Sequence, residues 1–242
     1  MSWRQEQAND KFFRRAKVEG YRARSAYKLL EICEKYGLIK SGQTVLDLGA
    51  APGSWSQVAS ERIGPNGKVV AIDLQIMAAL PGVESFVGDI RDPTVQRTAH
   101  LALGRLADVV LSDIAPQASG VGVVDQARSI ELAELALAIA GKALRPGGAF
   151  VVKVFRGEDF DRFIALARRH YNKVNVMIPE ATRQESRESF VVARGYGYPE
   201  PPRPPGFPVK PKPSTGQKSA RPVRRPTRPS HRPVSPSLND GA

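Results

Sequence analysis

Residues 45–53 read VLDLGAAPG, a short apolar run that ends in a glycine-rich turn. The run has the length and composition of a buried strand, and glycine lets a ligand approach the backbone closely. A helix-like segment follows the turn, so a ligand there would meet a helix N-terminus. The stretch therefore predicts a strand–turn–helix unit with a binding site at the carboxyl end of the strand.

The rest of the body alternates between strand-like and helix-like segments. A helical stretch with apolar residues at 29–33 precedes the first strand. The other strands are predicted at residues 68–72, 83–87, 107–112, 149–155, 173–178 and 189–193. The clearest helix covers residues 125–144, and the Pro-Gly-Gly sequence at 146–148 is expected to stop it before the next strand. This alternation predicts a Rossmann-like α/β fold, with a seven-stranded, mostly parallel sheet and helices on both faces.

Composition excludes several classes of protein. The 242 residues suffice for one packed core and an extension, and 13 of the 20 prolines follow Gly195. The longest stretch without a charged side chain, Leu48–Ser60, is well short of the roughly 20 apolar residues of a membrane span, so a membrane protein is excluded. A single cysteine and three scattered histidines predict neither an intrachain disulfide nor a metal site. With no signal-peptide pattern, we expect a cytoplasmic protein.

The net charge of +12 is concentrated at the two ends of the chain. Residues 1–28 carry +5 and residues 196–242 carry +7, whereas residues 29–195 are neutral. Basic ends on a neutral body indicate a polyanionic partner, because Lys and Arg release the counterions condensed on phosphates. Solubility alone is the alternative. The Pro/Arg-rich segment 196–242 is predicted to be disordered, and its role stays open.

The basic N-terminal segment also contains aromatic residues. Its rings, at positions 12, 13, 21 and 27, interleave with arginines and lysines. Rings that stack on bases beside cations that meet phosphates would form an RNA platform. Packing of an amphipathic helix is the alternative interpretation of the rings.

Two acidic residues follow the second and third strands. The turn spacing G-x-x-x-G differs from the G-x-G-x-x-G of dinucleotide sites. Asp73 is placed to accept hydrogen bonds from a ribose diol, and Asp89 could face an adenine amino group. The missing middle glycine favours S-adenosylmethionine over NAD as the cofactor. Each acid alone could instead be a helix cap or a turn residue.

Five motifs carry a more specific signal. They are RSAYKL at 24–29, DLGAAPGSWSQ at 47–57, SDIAP at 112–116, VVKVF at 151–155 and SRESF at 186–190. In this order they closely resemble the FtsJ/RlmE family of S-adenosylmethionine-dependent ribose 2′-O-methyltransferases, over roughly residues 12–194. The resemblance implies that residues 29–195 form the methyltransferase domain, with Lys28 at its edge, whereas the charge and aromatic residues of 1–28 predict that this segment binds RNA. It also implies methyl transfer to a uridine ribose in 23S rRNA of the large ribosomal subunit.

The resemblance further implies a catalytic tetrad of Lys28, Asp113, Lys153 and Glu188. A ribose 2′-hydroxyl is a poor nucleophile, so its attack on a sulfonium methyl needs a positioned base and a place for developing negative charge. Lys153 is the candidate base. Asp113 and Glu188 would orient the ammonium groups, and Lys28 would hold the ribose.

The resemblance assigns the cofactor to Gly53, Trp55, Asp73, Asp89 and Asp113. A role for Trp55 in the core is the alternative. The sequence departs from close relatives at two motif positions, where Ser54 often aligns with glycine and Phe190 with tyrosine. The second departure means that no tyrosine can carry a proton at that position.

Other substrates and roles stay open at this point. The same chemistry could act on a tRNA anticodon loop or an mRNA cap. A third hypothesis is an RNA-binding ribosome assembly factor whose catalysis is incidental or lost. A monomer is expected, because no coiled-coil heptads occur.

Overall fold

A seven-stranded sheet lies at the centre of the computed structural model, which describes residues 10–183 and 186–197. The strands are β1 (Thr44–Leu48), β2 (Lys68–Asp73), β3 (Val83–Val87), β4 (Ala107–Ser112), β5 (Leu144–Phe155), β6 (Tyr171–Met177) and β7 (Glu188–Tyr196). Their order in the sheet is β3-β2-β1-β4-β5-β7-β6. β7 is antiparallel to both of its neighbours, and the other pairs are parallel. All seven predicted strands and the mostly parallel sheet are confirmed.

Helices cover both faces of this sheet. They are α1 (Lys11–Glu19), α2 (Ala26–Tyr36), α3 (Ser54–Ile63), α4 (Pro93–Leu103), α5 (Gly122–Ala143) and α6 (Phe160–Arg168). Successive strand residues point to opposite faces, so Val45 of β1 packs with α2 and α3, whereas Leu46 and Leu48 pack with α4 and α5. The predicted doubly covered α/β fold is thereby confirmed, and Cys33 is buried in the α2 side of the core.

The start of β5 differs from the expectation. Helix α5 ends at Ala143, and β5 begins directly at Leu144. The Pro-Gly-Gly sequence at 146–148 thus lies inside β5, where the pairing with β4 shifts register between Ala107 and Val109. The prediction that it separates the helix from the strand was wrong, because the irregularity is absorbed within the strand as a bulge.

The N-terminal rings pack against one another. The Tyr27 ring centroid lies 5.5 Å from that of Phe12 and 5.7 Å from that of Tyr21. Tyr27 is buried, and its hydroxyl donates to Glu19 at 2.9 Å. The burial of Tyr27 therefore favours the alternative interpretation of its ring, packing of the amphipathic helix, since the ring fixes α1 against α2.

The predicted boundaries of the N- and C-terminal segments need adjustment. The boundary after residue 28 falls inside α2, and Tyr196, expected in the tail, pairs with Tyr171 as the last residue of β7. Residues 1–9 and 198–242, which include the rest of the tail expected to be disordered, lie outside the described residues. Across residues 10–183 and 186–197, no helix combines the length and apolar character that a membrane crossing requires.

Candidate active site

Four charged side chains meet at the carboxyl end of β4 and β5. Lys28 Nζ donates to Glu188 Oε2 at 2.6 Å, and Lys153 Nζ lies 4.0 Å from Glu188 Oε1. Lys153 Nζ also lies 3.1 Å from Asp113 Oδ1 and donates to the Asp113 main-chain oxygen at 2.7 Å. The four residues predicted as a catalytic tetrad therefore form one chain of alternating charge.

Sheet register explains why these residues meet. Ser112 at the end of β4 pairs with Val152, which places the next residues, Asp113 and Lys153, side by side. β7 runs back along β5, so its first residue, Glu188, pairs with Phe155 and reaches the same edge. Lys28 arrives from the first turns of α2, which packs over this part of the sheet.

The tetrad is only slightly open to solvent. The exposed fraction of the side chain is 6% for Lys153, 10% for Lys28 and 19% for Glu188. Burial of Glu188 opposes its ionisation, but the positive charges of Lys28 and Lys153 and a hydrogen bond from Lys28 outweigh it, so the pKa of Glu188 lies below its ordinary value. Glu188 is therefore a carboxylate at neutral pH, shared by two ammonium groups.

The glycine-rich turn after β1 lies between two of the predicted cofactor acids. Leu48 pairs with both Ile72 and Ser112, so Asp73 and Asp113 flank Gly49 on the neighbouring strands. Asp73 Oδ2 accepts a hydrogen bond from the Ala51 main-chain nitrogen at 2.9 Å. A Cβ atom at Gly49, where φ is +72°, would collide with the Ile114 side chain, so only glycine allows the β1 and β4 loops to approach this closely.

Asp89 is engaged by a cation. It follows β3, whose last residue, Val87, pairs with Asp73. Both carboxylate oxygens of Asp89 accept hydrogen bonds from Arg91 Nε at 3.0 Å, and these bonds lower the pKa of Asp89. A ligand group that approaches Asp89 therefore has to share its carboxylate with Arg91 or replace that partner.

The Arg22 side chain covers the predicted cofactor residue Gly53. Arg22 Nη1 donates to the main-chain oxygens of Pro52 at 3.0 Å and Ala78 at 2.7 Å, and Nη2 donates to Ala79 at 2.7 Å. A Cβ atom at Gly53 would lie 2.7 Å from Arg22 Nη1 and 2.6 Å from Met77 Sδ. Arg22 thus joins the N-terminal segment to the loops that follow β1 and β2.

Trp55 lies in the core beneath Lys28. Its indole is buried, with its ring centroid 5.6 Å from that of Phe190, and Lys28 Nζ lies 5.4 Å from the Phe190 centroid. Trp55 Nε1 donates to the Ser25 main-chain oxygen at 2.9 Å, and the hydroxyls of Ser25 and Ser54 are hydrogen-bonded at 2.7 Å. Ser54 and Phe190, the two motif residues that differ from close relatives, therefore both contact the start of α2, which carries Lys28.

Asp47 is a buried acid within β1 that our sequence analysis left without a role. Its Oδ2 accepts a hydrogen bond from Ser56 at 2.6 Å, whereas its Oδ1 is buried and has no hydrogen-bond partner. Burial raises the pKa of Asp47 to about 7; the Ser56 hydrogen bond opposes this rise, and the charges of Asp113 and Asp73 add to it. An acid inside an otherwise apolar strand was the only sequence signal for it.

We expect Asp47→Asn to flatten the pH dependence of stability. Because the pKa is raised, folded Asp47 holds a proton that the unfolded chain loses above about pH 4. The free energy of unfolding therefore falls by about 1.4 kcal/mol per pH unit from about pH 4 to about pH 7. Urea unfolding at pH 5 and pH 8 measures the difference, with Asp161→Asn on the exposed face of α6 as the control. Equal pH dependence in Asp47→Asn and the wild type would contradict a neutral Asp47.

Sequence reasoning also missed Arg22 as an organiser of the loops that follow β1 and β2. It had counted Arg22 only among the cations of the basic segment. Its hydrogen-bond acceptors are main-chain oxygens 30 to 57 positions away along the chain, and main-chain atoms carry no sequence signature.

The doubly wound sheet, the glycine-rich turn after β1 and the acids at the neighbouring strand ends define a Rossmann-like methyltransferase. Residues 21–196 match the family model of the FtsJ-like methyltransferases. The chain belongs to this family, and it is an enzyme whose reaction requires a methyl donor.

Relatives and solved structures agree with this assignment. The chain is 50% identical over 196 residues to ribosomal RNA large subunit methyltransferase E of Alkalilimnicola ehrlichii, which covers 81% of this chain and 94% of that protein. It is 49% identical to the protein of the same name from Acinetobacter baumannii, over 80% of this chain and 90% of that one. A crystal structure assigned as a ribosomal RNA methyltransferase from Plasmodium falciparum superposes with a TM-score of 0.65 at 30% identity, covering 73% of this chain and 98% of that one.

Proposed function

We propose that this enzyme transfers a methyl group from S-adenosylmethionine to the 2′-hydroxyl of a uridine ribose in 23S rRNA of the large ribosomal subunit. The observation that carries the proposal is the alternating chain of Lys28, Glu188, Lys153 and Asp113 beside the glycine-rich turn. The names of the bacterial relatives support the rRNA substrate. A cytoplasmic location follows from that substrate.

The residues present fit S-adenosylmethionine. Gly53 and Trp55 belong to the turn and helix that follow β1, and Asp73, Asp89 and Asp113 follow three further strands of the same sheet edge. Carboxylates accept hydrogen bonds from hydroxyl and amino groups, and they attract a cationic ligand. When bound, the cofactor supplies an electrophilic methyl group on a positively charged sulfur.

Lys153 is proposed to accept the proton of the 2′-hydroxyl as the ribose oxygen attacks. A lysine can do this only in its neutral form, and the Lys153 side chain is only 6% exposed. Asp113 and Glu188 hold Nζ in place from two sides. Lys28 is proposed to stabilise negative charge that develops on the ribose oxygen.

Substrate binding would help to prepare the base. Two carboxylates, those of Asp113 and Glu188, face Lys153 Nζ, and Lys28 shares Glu188 with it. A ribose that enters the cleft excludes water and thereby favours the neutral amine. The reactive state of Lys153 is therefore assigned to the complex with RNA and cofactor.

Arg22→Ala is expected to weaken S-adenosylmethionine binding about tenfold while changing kcat at saturating cofactor less than about threefold. The reason is that Arg22 joins the loop at Ala78 and Ala79 to the turn at Pro52, and both loops flank the proposed cofactor cleft. Calorimetric titration with S-adenosylmethionine measures the effect, and Arg14→Ala, an exposed arginine of α1, is the matched control. A raised KM for RNA with unchanged cofactor affinity would show that Arg22 acts on RNA instead.

The acceptor experiment tests the proposed substrate. Labelled S-adenosylmethionine is incubated with undermethylated large ribosomal subunits or with free tRNA, and the labelled RNA is mapped by resistance to alkaline cleavage. We expect one alkali-resistant linkage in the large-subunit RNA and no label in tRNA. Label in tRNA alone would overturn the rRNA assignment, and cofactor binding without transfer to either RNA would favour an assembly factor.

A further inference from the structure

A basic groove lies at the β6 edge of the sheet, away from the tetrad. Its volume is about 530 Å³, and its lining includes Arg168, Lys173 and Arg194 together with the amides of Asn172 and Asn175. The tetrad and the groove lie at different ends of strand β7, because Glu188 begins the strand and Arg194 lies about 20 Å further along it. The groove is therefore not part of the active site.

The cations of this groove lack acidic partners. Within residues 10–183 and 186–197, no carboxylate lies within 4.0 Å of a charged nitrogen of Arg168, Lys173 or Arg194, and the groove lining contains no acid. Other exposed cations, such as Lys68 and Arg145, pair with carboxylates. The positive charge of the groove is thus available to an anionic partner.

Two further contacts organise these side chains. The Arg194 guanidinium lies 4.9 Å from the centroid of the Tyr36 ring, and its Nη2 donates to Asn175 Oδ1 at 3.3 Å. With its oxygen occupied, Asn175 has its amide N–H groups left to donate. Arginine, lysine and asparagine donors of this kind contact the phosphates and sugars of nucleic acids.

The chain also becomes more basic where it leaves the sheet. Tyr196, the last residue of β7, pairs with Tyr171, the immediate neighbour of Asn172. Residues 198–242 continue from this point and carry nine Lys/Arg residues against two acids. A polyanion bound at the groove would therefore lie close to the origin of a strongly basic segment.

We infer that this groove binds the phosphate backbone of a second segment of the folded rRNA substrate, separate from the segment that enters the active site. The inference rests on the proposed function. Helix α2 links the two places, with Lys28 and Tyr36 about 12 Å apart along it. Between them it carries Glu31 and Glu34 against the single cation Lys35, a net negative charge that repels phosphates, so one strand is not expected to run from site to groove. The substrate class is accordingly an RNA fold that presents two backbone segments.

The test compares two double variants of the full-length protein. Arg168→Gln with Lys173→Gln removes two groove cations. Arg97→Gln with Lys142→Gln removes two exposed cations of α4 and α5 that form no salt bridge within residues 10–183 and 186–197. Affinity for large ribosomal subunits is measured across a salt series, together with kcat, S-adenosylmethionine affinity and Tm. We expect the groove variant to bind about tenfold more weakly, with a log–log salt slope reduced by about two, and the control to change less than about twofold.

Each outcome of this test has one meaning. Unchanged affinity and slope in the groove variant, with normal methyl transfer by the wild type, would overturn the inference and leave the proposed function standing. Weaker binding with an unchanged salt slope would also overturn it, because that result would indicate that the groove contacts a ribosomal protein and not RNA phosphates. In a third outcome, the groove variant has a smaller salt slope than the wild type, but the wild type methylates no subunits. The groove assignment then holds and the proposed function fails.

Discussion

Lys153→Ala is expected to lower the single-turnover rate of methyl transfer to large ribosomal subunits by about 10³-fold, within the range for loss of a general base. The Lys153 ammonium nitrogen lies between Asp113 and Glu188 at the carboxyl edge of the sheet, and no other lysine in the described part of the chain contacts both acids. Quench-flow measurement at saturating RNA and cofactor gives the rate directly. Affinity for S-adenosylmethionine should change less than about threefold.

Two further variants separate the chemistry from the charge. Lys153→Arg keeps a cation but cannot supply a neutral amine, so it should be nearly as slow as the alanine variant. Lys142→Ala, an exposed lysine of α5, should keep the wild-type rate. A rate for Lys153→Ala within about tenfold of the wild type would refute the role of Lys153 as the base.

Glu188→Gln should reduce the rate by about 10²-fold. The amide keeps the shape of the side chain, but it removes the negative charge that Lys28 and Lys153 share. Two ammonium groups would then face each other across an uncharged side chain, and both would be displaced from the ribose. Single-turnover rates measure this loss, and an unchanged rate would show that Glu188 does not position Lys153.

The same variant has a stability consequence whose size depends on pH. Burial disfavours the Glu188 carboxylate, but Lys28 and Lys153 stabilise it more, so its pKa is lowered in the folded state. The stability from these ion pairs is therefore fully present above the ordinary glutamate pKa of about 4.3, and it is lost as the pH falls through the lower folded-state value. Urea unfolding should show Glu188→Gln less stable than the wild type at pH 7 by about 2 kcal/mol, with the gap closing as the pH falls below about 4.3. A gap that stays constant with pH would contradict this pairing.

The sequence predicts the central strands well because they are buried on both faces. Their apolar runs, such as residues 107–112, stand out against the helical periodicity between them, and all seven predicted strands are present, with the largest boundary difference at the start of β5. The start of β5 was harder, because a Pro-Gly-Gly sequence is typical both of a helix stop and of a bulge inside a strand. Only the pairing with β4 decides between these structures.

The candidate site was predictable as a set of motifs but not as a geometry. Lys28 and Glu188 are 160 positions apart, and only the antiparallel return of β7 brings them within 2.6 Å. Tyr27 belongs to a basic aromatic segment that resembles an RNA platform, yet its ring is buried against Phe12. Such contacts depend on the packing of α1 against α2, which local sequence does not encode.

The most direct test of the central claim is nucleoside analysis of the product. Large-subunit RNA from reactions with the wild type, Lys153→Ala and Lys142→Ala is digested to nucleosides, and the methylated nucleoside is identified by mass spectrometry. Our account predicts 2′-O-methyluridine from the wild type and Lys142→Ala, and almost none from Lys153→Ala in the same reaction time. A base-methylated nucleoside, or equal amounts of 2′-O-methyluridine from all three proteins, would contradict it.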